Sequence, residues 1–348
     1  MKQRFEYLEK AHVSKVGERE LRDINDDEVL VKQLTCNICT TDYQQWMGLR
    51  EHQGYPMAGG HEGAGVVEKV GANVHTVKPG DLVAVAHGGG CGVCANCRVG
   101  DTGNCLNKPK ERHRSEDGYL GEFGFADYNI RTEKQIYVMN PDLDPAEAGY
   151  LEPVATVCRG MKKLRLQPQE TVVVIGAGTM GMVNAQVARA YAANVIVSEI
   201  MPKKLETAKA MGFKVIDCNE KDPVEAVMEM TDGKGVDCVI VAVGATKANE
   251  QALQMLKKND GRILLFAAGY PVPDLPYDSN VIHYRRVEII GTFGAEASDY
   301  NEAAKLLNTR AIDVSKIVEP KRFKLDDCQA AFEAASTPGM YRVCIELN

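Results

Sequence analysis

Short apolar runs at close spacing occupy the first third of the chain, and a strand–helix alternation occupies the middle. Val29-Leu30-Val31-Lys32 predicts one short strand and Gly65-Val66-Val67-Glu68-Lys69-Val70-Gly71 another, bounded by glycines. Pro79-Gly80-Asp81 is a turn signal leading into Leu82-Val83-Ala84-Val85. Residues from about 27 to 130 therefore read as β-rich, in the manner of a small barrel or sandwich. The pattern changes near residue 150. Val172-Val173-Val174-Ile175 is continuously apolar, as a parallel strand buried on both faces must be. A glycine-rich turn and a helix to about Tyr191 follow, then strand 195–197, helix 203–211, strand 236–241, helix 247–258, strand 262–266 and a closing strand, 287–290. Such alternation predicts a doubly wound parallel sheet. The tail predicts two helices and a final strand, 341–345.

Composition narrows the class. The 348 residues are 45% apolar and 26% charged, with a net charge of −7, which suits a globular protein of about two domains. An acidic balance argues against nucleic acid or an anionic membrane surface as partner. No stretch of about 18 apolar residues exists to span a bilayer. The first residues carry no apolar core or cleavage signature. The 11 cysteines are then expected reduced, in the cytoplasm.

Cys91, Cys94, Cys97 and Cys105 follow the spacing C-x2-C-x2-C-x7-C. Four thiolates so spaced can close a tetrahedral Zn²⁺ site with no open position; a chance cluster or two disulfides are the alternatives. A second candidate metal centre is Cys39 with His61 and Glu62, since Cys, His and carboxylate together can leave one position open for chemistry. Gly176-Ala177-Gly178-Thr179-Met180-Gly181 follows a predicted strand and opens a helix, the context that makes G-x-G-x-x-G a dinucleotide fingerprint. Its glycines allow a tight turn and close backbone approach to a pyrophosphate at the helix N-terminus. Glu199, at the end of the next strand, suits the ribose hydroxyls and opposes a 2′-phosphate. Lys203 and Lys204 lie nearby, and Val243 follows a later strand as a further cofactor contact.

Taken together, Cys39 with Asp42, the run Gly60-His61-Glu62-Gly63-Ala64-Gly65, residues 77–81, the four-cysteine lobe, Gly118 to Tyr128 and the fingerprint resemble the zinc-dependent medium-chain dehydrogenase family along essentially the whole chain. The resemblance implies an α/β fold. A GroES-like β-barrel catalytic domain, 1–150 with 296–348, would carry a zinc lobe at about 88–110. A Rossmann doubly wound parallel sheet would occupy 151–295. It also implies roles: Cys39, His61 and Glu62 at a catalytic zinc, Thr41 as the hydroxyl that relays the substrate's proton, and Glu152 as a ligand direct or through water. Two Zn²⁺ and NAD per chain, and a homo-dimer or homo-tetramer, are implied with them. Glu152-Pro153 resembles the polyol, sugar and threonine branch. Gln44 stands where many members have a histidine, and Thr292-Phe293-Gly294-Ala295 replaces the Arg-Tyr pair of sorbitol enzymes.

The expected activity is hydride transfer between a secondary hydroxyl of a polyol-like substrate and NAD. Phosphorylated polyols and L-threonine are rival substrates. A non-catalytic nucleotide sensor is the rival of another class, which an intact Cys39, His61, Glu62 and Thr41 set disfavours. Lys108, Lys110, Arg112, His113 and Arg114 form a basic run, read as a solvated loop before a phosphate clamp. Cys158, Cys218, Cys238, Cys328 and Cys344 are expected in the core, and Trp46 and Tyr119 either in the core or at a substrate pocket.

Overall fold

The computed structural model describes residues 1–108 and 114–348, so Lys110, Arg112 and His113 of the basic run lie outside the described residues. The chain forms two units, Met1–Ala155 with Ala295–Asn348, and Thr156–Gly294.

In the first unit the strand Glu28–Asn37 is the hub. It pairs antiparallel with Glu62–Val70, Tyr128–Thr132 and Arg342–Glu346. The sheet runs Val318–Lys324, Arg342–Glu346, Glu28–Asn37, Glu62–Val70, Leu82–Val85, Ile136–Val138, with Tyr128–Thr132 added on the hub. Val29, Val31, Val67 and Val83 point inward at the two-residue strand period and form one core. A second sheet orders Val13–Glu20, Lys2–Lys10, Met57–Ala58 and Leu120–Gly121. Its inner face joins Leu8 to Cys36, Ile38, Trp46, Phe125 and Phe332. Trp46 stacks on Phe332 with ring centroids 6.4 Å apart, and Tyr119 meets Phe5 and Tyr7 edge-on, so packing accounts for both aromatics.

The hairpin Lys2–Lys10 and Val13–Glu20 was not legible in the apolar pattern, because Gln3 and Glu6 occupy inward positions and are fully buried. The Glu6 carboxyl accepts a 2.7 Å bond from Ser14 Oγ. Burial pushes its pKa well above the ordinary 4.5, against that hydrogen bond. The folded state therefore holds Glu6 protonated where the unfolded chain ionises, and stability falls as pH rises above the ordinary carboxylate range. Glu6→Gln keeps the acceptor for Ser14 and removes the titration. Its melting temperature should exceed the parent's at pH 8, and the two should converge as pH falls toward 4.5. A difference that does not change with pH would show that Glu6 is ionised in the folded state.

The second unit is a six-stranded, all-parallel sheet ordered Lys214–Asp217, Asn194–Glu199, Thr171–Ile175, Cys238–Val241, Arg262–Leu265, Glu288–Gly291. Val173, Ile196, Val239 and Ile263 fill one face against Val227, Ala252 and Met255 from the helices. The expected strand 236–241 begins only at Cys238, since Val236 makes an isolated bridge to Leu256. The helix expected over 247–258 spans Thr246–Met255. The strand Lys214–Asp217 and the helix Pro223–Met230 were not among the expected elements, although Asp222 and Pro223 open the helix with a clear start signal. Cys158, Cys238, Cys328 and Cys344 are buried, whereas Cys218 is only partly so.

Candidate metal centres and dinucleotide turn

The four lobe cysteines sit on a loop and a single helical turn, Ala95–Arg98, capped by Cys94. Their sulfurs lie within 4.8 Å of one another, with Cys91–Cys97 and Cys94–Cys105 each at 4.0 Å. A tetrahedron with metal–sulfur bonds of about 2.3 Å has edges of about 3.8 Å, so the cage fits zinc. Backbone N–H groups of Cys94, Cys97 and Cys91 donate to the sulfurs of Cys91, Cys94 and Cys105 at 3.4, 3.5 and 3.4 Å. Such donors stabilise thiolates. Amide bonds pull the Cys91 thiol down to about 6. Loss of hydration and the neighbouring sulfurs push Cys97 up to about 12, so a metal filling this cage displaces the Cys97 proton. The buried Glu296 ties the lobe to the returning chain. Its carboxylate accepts from the Thr102 N–H at 2.7 Å, the Gly103 N–H and the Thr102 hydroxyl.

The second cluster is built from three places in the fold. Cys39 precedes the helix Thr40–Trp46, whose first turn carries Thr41 and Asp42. Asp42 Oδ2 accepts from the Cys39 N–H at 3.0 Å. Its other oxygen stands 3.6 Å from His61 Nδ1. Glu62 begins the strand that pairs with the hub, opposite Asn37. One ligand atom each from Cys39, His61 and Glu62 lies within 4.8 Å of the others. Burial works against a charged His61 ring, but Asp42 and Cys39 outweigh it and raise its pKa. A histidine that ligates a metal must be neutral, so metal uptake here releases a proton. Glu152, second in the helix Leu151–Leu164, stands outside this 4.8 Å group. Its charge still reaches His61 and Glu62 and raises both pKa values.

Arg342 is the member that sequence inspection missed. Its Nε and Nη2 donate to the two Glu62 oxygens at 2.8 and 2.7 Å, and Nη2 also lies 3.5 Å from Cys39 Sγ. The ion pair is buried, with side-chain exposures of 4% and 0%. Burial opposes the Arg342 charge, yet Glu62 and Cys39 raise its pKa. Burial also lifts the Glu62 carboxyl against the pull of Arg342. The guanidinium cannot give up its proton, and the contact is bidentate, so the pair stands ionised. Nothing in the tail marked Arg342, which lies 280 residues from Glu62.

In the second unit the fingerprint forms the expected turn. Gly176 has φ +97°, a conformation that disfavours a side chain, and a Cβ there would also strike Val243. A Cβ on Gly181 would lie 1.9 Å from the Gly176 carbonyl. Gly178 caps the helix Thr179–Ala190, and no side chain caps that N-terminus. Lys204 Nζ comes within 3.7 Å of a Cβ placed on Gly178. Glu199 folds onto the turn: its carboxylate accepts from the N–H groups of Ala177, Ile200 and Met201 at 2.7, 2.7 and 2.9 Å.

Residues 25–141 match the alcohol dehydrogenase GroES-like domain, and residues 166–309 match the zinc-binding dehydrogenase domain. The chain belongs to the zinc-dependent medium-chain dehydrogenase family and is an alcohol-type dehydrogenase. Within it, the chain falls in the polyol and threonine branch. It is 30% identical to a D-arabitol-phosphate dehydrogenase of Enterococcus avium over 94% of this chain and 92% of the relative. It is 33% identical to an L-threonine 3-dehydrogenase of Pyrococcus horikoshii over 88% and 87%. A solved structure from Sinorhizobium meliloti 1021, described as a zinc-binding dehydrogenase bound to NADP, superposes with a TM-score of 0.85 at 25% identity, covering 99% of both chains. Among the described residues no helix is long and apolar enough to cross a membrane.

Proposed function

We propose that this protein oxidises a secondary hydroxyl of a polyol or sugar-like substrate with NAD, and runs the same reaction in reverse. The observation that carries the proposal is the convergence of Cys39, His61 and Glu62 within 4.8 Å, with Thr41 on the adjoining helical turn. Cys39 and His61 would hold a catalytic zinc, Glu62 would ligate it or exchange with water, and Glu152 would act from the next layer. When bound, that zinc supplies Lewis acidity that lowers the pKa of the substrate hydroxyl. NAD, on the Gly176–Gly181 turn, supplies the hydride acceptor. Asp42 stands beside the His61 ring, 3.6 Å from Nδ1, and such outer partners tune ligands. Arg342 neutralises Glu62, so the cluster carries less net negative charge. The Thr41 hydroxyl would relay the substrate's proton, accepting it while releasing its own to water, since Gln44 takes the place of a histidine relay.

NADH absorbance with a panel of polyols, vicinal diols, L-threonine and ethanol tests the proposal. Vicinal polyols should be preferred. Ethanol preferred over every diol would overturn it. The phosphate-clamp alternative has less to stand on: Arg114 donates to the carbonyls of Gly118 and Tyr55, and Lys108 to that of Gly103. The partner is read as a second copy of the chain. The strand Glu288–Gly291, last in its sheet among the described residues and flanked by exposed Tyr284 and Phe293, presents an outer edge able to take one.

The lobe cysteines are assigned a second, structural zinc. Cys97→Ser should lower the metal count from two per chain to about one and reduce thermal stability more than it alters chemistry. Structural zinc contributes about 10–16 kcal/mol of apparent folding energy in small modules, of which a larger chain feels only part. An unchanged metal count would remove the assignment.

Glu199 is assigned to cofactor choice. A carboxylate accepts about four hydrogen bonds; one here comes from Ala177 of the turn and two from Ile200 and Met201, the residues that follow Glu199. Glu199→Ser should therefore act twice. It should lower NAD efficiency by about tenfold or more through a loosened turn, and raise the NADP-to-NAD ratio by removing repulsion of the 2′-phosphate. A wild-type enzyme that prefers NADP would refute the assignment and give Lys203 and Lys204 the deciding part.

A further inference from the structure

His87 and Glu122 form a built pair in the first unit that the roles above do not use. His87 follows the strand Leu82–Val85. Its Nδ1 lies 3.1 Å from Glu122 Oε1, and its side chain is 51% exposed. Its ring centroid stands 5.7 Å from that of His61. The backbone on both sides of the pair is fixed. The His87 carbonyl accepts from the Tyr300 hydroxyl at 3.3 Å, and the Gly88 carbonyl accepts from Gln135 at 2.9 Å. The segment carrying Glu122 is held by side chains of two strands. Arg131 donates to the Glu122 carbonyl at 2.7 Å and approaches its carboxylate at 3.4 Å. Asn129 donates to the Phe123 carbonyl at 3.1 Å, and Gln33 to those of Gly124 and Ala126 at 2.9 and 3.0 Å. Phe123 itself is kept at φ +54°, a conformation that needs such support.

Resting on the polyol reading, we infer that His87, oriented by Glu122, is a specificity-determining residue that accepts a hydrogen bond from a second hydroxyl next to the one being oxidised. A neutral imidazole whose Nδ1–H is directed at a carboxylate presents Nε2 as an acceptor. The His87 ring stands beside that of His61, and both line one pocket with Glu122, next to where the reacting hydroxyl belongs. Glu122 places a negative charge behind the His87 ring, so a neutral hydroxyl is welcome there and a phosphate or carboxylate is repelled. Arg131 balances part of that charge and fixes the Glu122 segment. The backbone bonds on both sides hold the pair as closely as a recognition group must be.

The test uses two probes that differ by one hydroxyl, 2,3-butanediol and 2-butanol. Their dissociation constants are measured by calorimetry on the zinc-loaded enzyme with NADH bound, where no turnover occurs. Their kcat/KM values are measured with NAD. The wild type should favour the diol by about 10- to 100-fold, the worth of one hydrogen bond to a buried or charge-supported partner. His87→Phe should bring the two within about threefold, with 2-butanol and the zinc content unchanged. Glu122→Gln, which keeps an acceptor for Nδ1, should retain most of the selectivity, and Glu122→Leu should lose it as His87→Phe does. This second pair of variants answers the question even if His87→Phe does not fold. A diol preference that survives both His87→Phe and Glu122→Leu, or an equal loss for both probes, overturns the inference while the polyol reading stands. A wild type that turns over no polyol at all overturns both.

Discussion

His61→Ala should abolish turnover and leave NADH binding intact. His61 and Cys39 belong to the unit Met1–Ala155 with Ala295–Asn348, while the Gly176–Gly181 turn and Glu199 belong to Thr156–Gly294. Removing one of the converging ligand atoms of Cys39, His61 and Glu62 leaves an incomplete metal site. Metal-assisted activation contributes several kcal/mol to the barrier, and each 1.36 kcal/mol is tenfold, so a loss of about 10⁴-fold or more is expected. Three measurements check it together: turnover, zinc content, which should fall by about one per chain, and NADH fluorescence titration, which should not change. Glu152→Ala should cost only about 10- to 100-fold, as outer partners of metal ligands do. Full metal loss in that variant would move Glu152 into direct contact with the ion. Persistent turnover in His61→Ala would remove the catalytic centre from this part of the fold.

Arg342→Met should be among the most destabilising single changes in the chain. It leaves the fully buried Glu62 carboxylate without the guanidinium that holds both of its oxygens. Breaking a buried ion pair from one side costs about 3–5 kcal/mol, because an uncompensated charge stays behind. At about 2–4 °C per kcal/mol for a unit of this size, the melting temperature should drop by roughly 6–20 °C. The double variant Glu62→Leu with Arg342→Met should regain much of that stability, since the buried charge is gone, but should remain inactive. A drop under about 3 °C in the single variant would show that Glu62 is neutral in the fold and that the pair is not ionic. Separating the two readouts matters here, because Arg342 touches Cys39 as well as Glu62.

The two halves of the chain differed in how openly their sequence spoke. The parallel sheet announced itself because its strands are buried on both faces and so must be continuously apolar, as Val172 to Ile175 are. The barrel was harder to read. Its N-terminal hairpin carries Gln3 and Glu6 at inward positions, which breaks the alternation that marks a half-buried strand. The strands Lys214–Asp217 and Val318–Lys324 lie at sheet edges, where exposure permits charged residues and the apolar signal fades.

What the sequence determined by itself were the features whose chemistry is complete within a few residues. The cysteine spacing closes a cage over one loop and one helical turn. The glycines of the fingerprint answer to contacts with their own turn, such as Gly181 against the Gly176 carbonyl. His61 and Glu62 are neighbours in the chain. Only the tertiary structure decided what those groups face. Strand Arg342–Glu346 returns to pair with Glu28–Asn37 and thereby delivers Arg342 to Glu62. The end of Leu82–Val85 brings His87 to Glu122, 35 positions further along the chain. Glu199 turns back onto Ala177 rather than outward. Partners like these are chosen by strand register and by the need to satisfy buried charge. Neither leaves a local mark on the residues involved, because an arginine near a chain terminus reads as a solvated side chain until the sheet that buries it has formed.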